Sequence, residues 1–313
     1  MARKPRRRSM DFAVYMAVRL AVCAVQAVPM ALAFQFAGFL GWLAYQIDRR
    51  HRQIAAENLR LAFPELAGSP HRIDRLVRAT YRHMTTMAVE IALLPRKLHV
   101  AAWRRFVTLR SGTRIIAPFF SKRPNLFVTA HFGNWEMAGW VIGLFGVKSF
   151  AIARVLDNRY LERYMKRFRQ ATGQTIIAKK DDFKRLTTAL ASGGTVGTLA
   201  DQDAGPRGLF VNFFDRPAST HKAVALMAIE YDALISVVTV PRVAEPMIYA
   251  VECEDVIDPR DYAGRPDAVH AITQRFTAAL ERMIRRRPEQ YFWLHRRWKH
   301  QPARREKKYS HAA

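Results

Sequence analysis

The chain has 313 residues, with 51 Lys and Arg against 26 Asp and Glu, for a net charge of +25. Half of its residues are hydrophobic and 11% are aromatic, which excludes a disordered basic tail and leaves enough apolar material for one large domain or two ordinary ones. Two cysteines, Cys23 and Cys253, exclude a disulfide framework and fit a reducing compartment.

The charge asks for an anionic partner. Nucleic acid, an anionic membrane face and an acidic carrier protein all satisfy it. Part of the excess is terminal. Arg3, Lys4, Arg6, Arg7 and Arg8 open the chain, and Arg296, Arg297, Lys299, Arg304, Arg305, Lys307 and Lys308 crowd its end.

Leu20–Ile47 follows the first cluster and carries no formally charged residue. As one straight helix it would run about 42 Å, whereas the hydrocarbon core takes about 20 residues. The segment can therefore span with tilt, or enter and turn back, and Pro29 marks a bend. It is too long for a signal peptide, and no small-x-small cleavage site precedes Asp48–Arg52. Arg49, Arg50 and Arg52 make the second flank basic too, so the positive-inside rule holds both ends on the cytoplasmic side. The expectation is a membrane anchor: re-entrant, interfacial, or a single tilted span.

From Arg52 to about Leu94 apolar residues recur at helical spacing, interrupted at Pro64. Then short apolar runs alternate with helical stretches. Leu126–Ala130, Phe150–Ala153, Thr175–Ala178, Thr195–Leu199 and Leu234–Thr239 read as buried strands. Met247–Glu252 alternates more and reads as an edge or antiparallel strand. Helices are expected over Met137–Leu144, Arg159–Ala171, Asp181–Ala191, Ala218–Tyr231 and Ala268–Arg287. The pattern predicts an α/β fold with a mixed, mainly parallel sheet flanked by helices, preceded by the hydrophobic anchor. Residues 1–50 would form the basic N-terminus and anchor, 51–300 the α/β domain, and 301–313 a basic tail. In such sheets chemistry gathers at the carboxyl ends of the strands.

His131–Glu136 (HFGNWE) stands at the end of the first of these strands. On a regular helix His131 and Glu136 would point about 140° apart. A turn at Gly133-Asn134, followed by a helix start, lets them face each other. A His oriented by a carboxylate removes protons from hydroxyls. The same residues would equally serve as a structural His with Glu136 favouring a helix N-terminus. Arg154, at the end of the second strand, suits a phosphate. Asp201-Gln202-Asp203 follows the fourth strand, and taken alone it suggests a metal–nucleotide site. Pro288–Lys299 alternates aromatics and bases, which fits a nucleic-acid stacking surface, a membrane interface or core packing with paired arginines.

Together these stretches carry a resemblance. His131–Glu136 looks like the H-x4-D/E motif of the glycerolipid and lipid A acyltransferases. Arg154–Asn158, Asp201–Gly205, Gly208–Phe214, Pro217–Thr220 and Pro288–Lys299 resemble, in order and spacing, the lipid A late acyltransferase family of lauroyl and myristoyl transferases. The resemblance runs from the anchor to about Lys299. It departs at Val155 and Arg159, where the family often has proline, on the stretch expected to face the acceptor.

The resemblance implies direct transfer of an acyl group from an acyl-carrier protein or CoA thioester to a hydroxyl of an anionic, lipid A-like glycolipid, with no further cofactor and no metal. His131 would be the general base and Glu136 its orienting carboxylate. Asn134 and nearby amide N–H groups would stabilise the oxyanion. Arg154, Asn158, Asp201 and Asp203 would serve the substrate side, and Gly208–Phe214 could line an acyl groove. The expected setting is the inner membrane with the catalytic domain on the cytoplasmic side, where the donor is. A single span with its basic N-terminus inside would put the domain outside, so the anchor must re-enter or lie in the interface, unless the Asp48–Arg52 flank overrides the N-terminal charges. Nucleic acid becomes the least favoured partner; a non-catalytic, membrane-attached nucleic-acid-binding protein is the rival reading.

Overall fold

The apolar N-terminal segment folds as two helices, α1 (Arg8–Ala27) and α2 (Met30–Ile47), broken at Val28-Pro29. A computed structural model describes residues 8–178 and 183–302 of the chain. Arg3–Arg7, the first residues of the expected Asp181–Ala191 helix, and the tail bases Arg304, Arg305, Lys307 and Lys308 lie outside the described residues. By length and composition both α1 and α2 are apolar enough to cross a membrane. Along α2 the buried residues are Ala33, Ala37, Gly41 and Tyr45, one small-residue stripe at helical spacing. The stripe lets α2 sit close on α4: a Cβ on Gly41 would meet the Arg82 Cα at 2.8 Å. Leu32, Phe36, Phe39 and Trp42 on α2 remain exposed, and α1 buries none of its residues.

The helical stretch after α2 divides at Pro64 into α3 (Arg49–Ala62) and α4 (Pro70–Lys97). Then come β1 (Val107–Leu109), α5 (Thr113–Ile116), β2 (Asn125–Thr129), α6 (Trp135–Leu144), β3 (Ser149–Ala153), α7 (Arg159–Gln170), β4 (Gln174–Ala178), α8 (Phe183–Ala191) and β5 (Thr195–Leu199). The chain continues through β6 (Leu209–Phe213), β7 (Arg216–Thr220), α9 (Ala223–Glu230), β8 (Leu234–Thr239), β9 (Tyr249–Ile257) and α10 (Ala268–Arg286).

Seven strands form one sheet in the order β1-β9-β8-β2-β5-β3-β4. Strands β8, β2, β5, β3 and β4 are mutually parallel, and β9 runs antiparallel to β8. The expected alternation of buried strands and helices is thus what the chain forms. On β2 the pleat splits the core: Leu126 and Val128 pack on one face, Phe127 on the other with Met137 and Trp140 of α6.

The strand after residue 247 is antiparallel to β8, one of its two expected forms, and the three-residue β1 pairs along its outer side. Two expectations are corrected. The helix expected from Ala218 starts at Ala223, because Arg216–Thr220 pairs with β6 across a two-residue turn, Phe214-Asp215, with positive φ at both positions. That hairpin packs on Trp293 and Trp298, so Gly208–Phe214 does not line the groove. Arg297, 2% exposed, donates to the Ser219 carbonyl and to the Thr220 hydroxyl, each at 2.6 Å. The aromatic and basic Pro288–Lys299 stretch is therefore largely core packing, with Tyr291, Trp293 and Arg297 buried and both terminal nitrogens of Arg297 paired.

Candidate active site

Strands β2 and β5 are parallel neighbours in the register Thr129↔Leu199. The residues two beyond each strand end, His131 and Asp201, therefore emerge side by side. His131 Nδ1 lies 2.9 Å from Asp201 Oδ1, and the His131 backbone N–H donates to Oδ2 at 3.0 Å. Asp201 is 3% exposed in its side chain and accepts both bonds, while the imidazole keeps one edge open. The Nδ1–H tautomer this contact selects leaves Nε2 free as the basic nitrogen.

Burial by itself pushes the His131 pKa down. The charge of Asp201 and its hydrogen bond, with a smaller part from Glu136, outweigh it and raise the pKa above its ordinary 6.5. Burial likewise pushes the Asp201 carboxyl up, but the charge of His131 and its two hydrogen bonds win and hold it low. The fully buried Tyr291 hydroxyl also faces Asp201.

The carboxylate hydrogen-bonded to the His131 ring is thus Asp201, where Glu136 was expected. Glu136 sits in the first turn of α6, and there Arg169 of α7 takes it in a two-pronged contact at 2.6 and 2.9 Å. It stays near enough to His131 to add to its field. Nothing in the sequence separates Arg169 from the other bases of α7, so this pairing was not legible.

Asn134 caps α6, accepting from the Met137 N–H at 3.1 Å, and its amide donates inward to Glu90 and to the Tyr249 hydroxyl. At 1% exposure it holds the turn from within. Asn158 likewise caps α7 through the Tyr160 and Leu161 N–H groups, and ties α1 down through the Asp11 carbonyl. Asp203 has partners of its own: its Oδ2 meets His300 Nδ1 at 2.7 Å and the Gly205 N–H. The two carboxylates of the D-x-D stretch thus serve different histidines. Among the described residues no three His, Cys, Asp or Glu side chains gather to hold a metal ion.

His131, Glu136 and Arg154 do come together, around a cavity of about 660 Å³ at the carboxyl ends of the strands. Trp135, Ile152, Leu199 and Met227 help line it, so the interior is largely apolar. Arg154 is well exposed, and its one ion pair among the described residues is a 3.6 Å contact to Asp157. The indole of Trp135 stands edge-on to the His131 ring at 5.1 Å.

A buried layer beneath the turn was missed by the sequence reading. Glu90, with no exposed side-chain surface, accepts two bonds from Arg242 at 2.6 and 2.9 Å. Arg242 Nη1 also donates to His83 Nδ1 at 3.2 Å, which leaves His83 Nε2–H to donate to the Gly133 carbonyl at 3.2 Å. Burial, and then the charge of Arg242, push the His83 pKa down to about 3, so the ring stays neutral. The one available signal was Glu90 itself, a lone charge inside the apolar run of α4.

Gly133 closes the turn at φ +61, with its N–H on the Gln290 carbonyl at 3.0 Å. A Cβ there would stand 2.5 Å from the Val240 carbonyl oxygen, which is backbone and cannot rotate aside. Gly133→Ala is expected to cost about 1–2 kcal/mol from the left-handed conformation and about 1–3 kcal/mol more from overlap. Thermal unfolding checks the loss, and a wild-type midpoint would contradict this account of the turn.

Residues 1–300 match the family described as bacterial lipid A biosynthesis acyltransferase. The chain is 26% identical over 273 residues to the lipid A biosynthesis palmitoleoyltransferase of Escherichia coli K12, covering 84% of this chain and 83% of that protein. It is 25% identical over 277 residues to the lauroyltransferase of the same organism, covering 88% of each. A solved structure, the 1-acyl-sn-glycerophosphate acyltransferase PlsC of Thermotoga maritima, superposes with a TM-score of 0.36 at 10% identity, over 80% of this chain and 97% of that one.

Proposed function

Since the chain belongs to the bacterial lipid A biosynthesis acyltransferase family and is an acyltransferase, we propose that it moves a fatty acyl group from an acyl-carrier protein thioester to a hydroxyl of a lipid A-like glycolipid, with His131 as general base. The observation that carries the reading is the His131–Asp201 pair at the mouth of an apolar cavity. Nε2 takes the acceptor's proton as its oxygen attacks the thioester carbonyl. The C–O bond forms, the tetrahedral intermediate collapses with cleavage of C–S, and the imidazolium returns the proton to the leaving thiolate. Asp201 stabilises the imidazolium between those events. The first amide N–H groups of α6, at Trp135 and Glu136, lack intrahelical acceptors and are the candidate oxyanion donors. Arg154 would meet a phosphate of the acceptor or of the donor's phosphopantetheine arm.

The exposed apolar faces of α1 and α2 support attachment to the membrane. Two helices that enter and return would leave both basic flanks, and the catalytic domain, on the cytoplasmic side of the inner membrane. The +25 net charge favours acyl-carrier protein, an acidic donor, over CoA alone. The test is a transfer assay in detergent with purified chain, acyl-carrier protein or CoA thioesters, and a lipid A precursor, read by mass spectrometry. Gain of one acyl mass from the carrier-protein donor is expected. Transfer from CoA alone would overturn the donor, and no transfer from either would overturn the acceptor.

A further inference from the structure

A second cavity, of about 350 Å³, lies where α1 crosses α7, apart from the catalytic one. Arg19 of α1 and Arg163 and Arg167 of α7 line it, with Tyr15, Tyr160 and Tyr164 between them. No carboxylate lines it among the described residues. Arg163 and Arg167 stand one helical turn apart on the same side of α7 and make no ion pair among the described residues. Three positive charges thus converge, and among the described residues no carboxylate stands in the wall beside them. The residues are not loosely assembled: Tyr15 stacks on Tyr160 at 5.9 Å, Phe12 meets Tyr160 at 5.4 Å, and the Arg19 guanidinium sits over the Tyr164 ring at 5.1 Å. The aromatic contacts fix the walls while the guanidinium N–H groups stay available.

Arg19 is a cation in the middle of a helix whose other outward residues include Met16 and Leu20, both exposed and apolar. A charge inside such a helix is costly unless it has an anion to meet. We propose that this cavity binds the phosphate headgroup of an anionic bilayer lipid, whose acyl chains lie along the exposed face of α1. The inference rests on the membrane attachment argued above. The guanidinium groups take the phosphate oxygens in paired, charge-assisted bonds, the tyrosine hydroxyls add neutral ones, and the apolar face of α1 takes the chains. The site would hold α1 against α7 and so set the height of the catalytic domain on the membrane.

The test uses the full chain in a zwitterionic detergent, with thermal unfolding followed during titration of short-chain phosphatidylglycerol, short-chain phosphatidylcholine or inorganic phosphate. Phosphatidylglycerol should raise the midpoint of wild type in a saturable way, and the other two should not. In Arg163→Gln/Arg167→Gln and in Arg19→Gln the apparent affinity should fall roughly tenfold per guanidinium removed, with the unliganded midpoint and the KM for the glycolipid acceptor unchanged. Equal responses of wild type and the double variant would overturn the site. An equal response to inorganic phosphate would overturn the lipid as its source. A tenfold rise in acceptor KM with an intact phosphatidylglycerol response would make the arginines an acceptor site and overturn the proposal. Flotation of wild type with pure phosphatidylcholine vesicles reads membrane attachment separately, so its failure is distinguishable from failure of the headgroup site.

Discussion

His131→Ala is expected to lower acyl transfer by about 10²–10⁴-fold, the usual worth of a positioned general base, while leaving the fold and membrane attachment intact. His131 lies at the cavity mouth and is partly open, so its loss leaves no core void. Single-turnover transfer at saturating donor reads the effect, and wild-type rates in the variant would end the proposed mechanism. The pH profile adds a second readout. The base works only when neutral, and the charge of Asp201 raises its pKa above 6.5. Activity should therefore fall along an acid limb centred above pH 6.5. Asp201→Asn removes that charge and leaves burial dominant, so the limb should move to lower pH as the plateau rate drops. An unmoved limb would take Asp201 out of its positioning role. The same pair affects stability. The contribution from the raised His131 pKa is present below 6.5 and lost as pH rises through the folded value; that from the lowered Asp201 pKa is present above 3.8 and lost as pH falls through its folded value.

Arg242→Met should cost about 3–5 kcal/mol, because it strands Glu90 as a buried, unpaired charge. For a chain of this size that is a drop in unfolding midpoint of roughly ten degrees. Glu90→Gln/Arg242→Met should recover a large part of the loss, since removing both charges also removes the desolvation cost. A single variant as stable as wild type would mean the ion pair is worth nothing net. The His83 ring answers to the same layer. Its stabilising neutral form is present above 6.5 and is lost as pH falls toward about 3, so acid should loosen the Gly133 turn from beneath.

Much of the fold was legible because it is written locally. Buried strands are short apolar runs, and Leu234–Thr239 was bounded as the structure bounds it. Pro29 and Pro64 marked breaks because proline lacks the N–H that a helix needs. The hairpin at β6–β7 was half-missed, since Phe214-Asp215 carries no glycine to announce its left-handed turn. The motif and a turn at Gly133-Asn134 put Glu136 beside His131; in the fold Arg169 takes Glu136, and the carboxylate on His131 Nδ1 is Asp201, from a segment no local argument reaches.

The sequence by itself determined that His131 stands at a strand tip before a helix start, that apolar helices precede the domain, and which family the motifs resemble. Only the tertiary structure decided what His131 pairs with. Its partner, Asp201, is 70 residues away, and the two meet because β5 lies beside β2 in the sheet. Strand order is set by which faces bury together across the whole chain, and no spacing within one segment encodes it. The same holds for Arg169 on Glu136 and for Arg242 on Glu90: each ion pair joins segments that only the tertiary fold brings together.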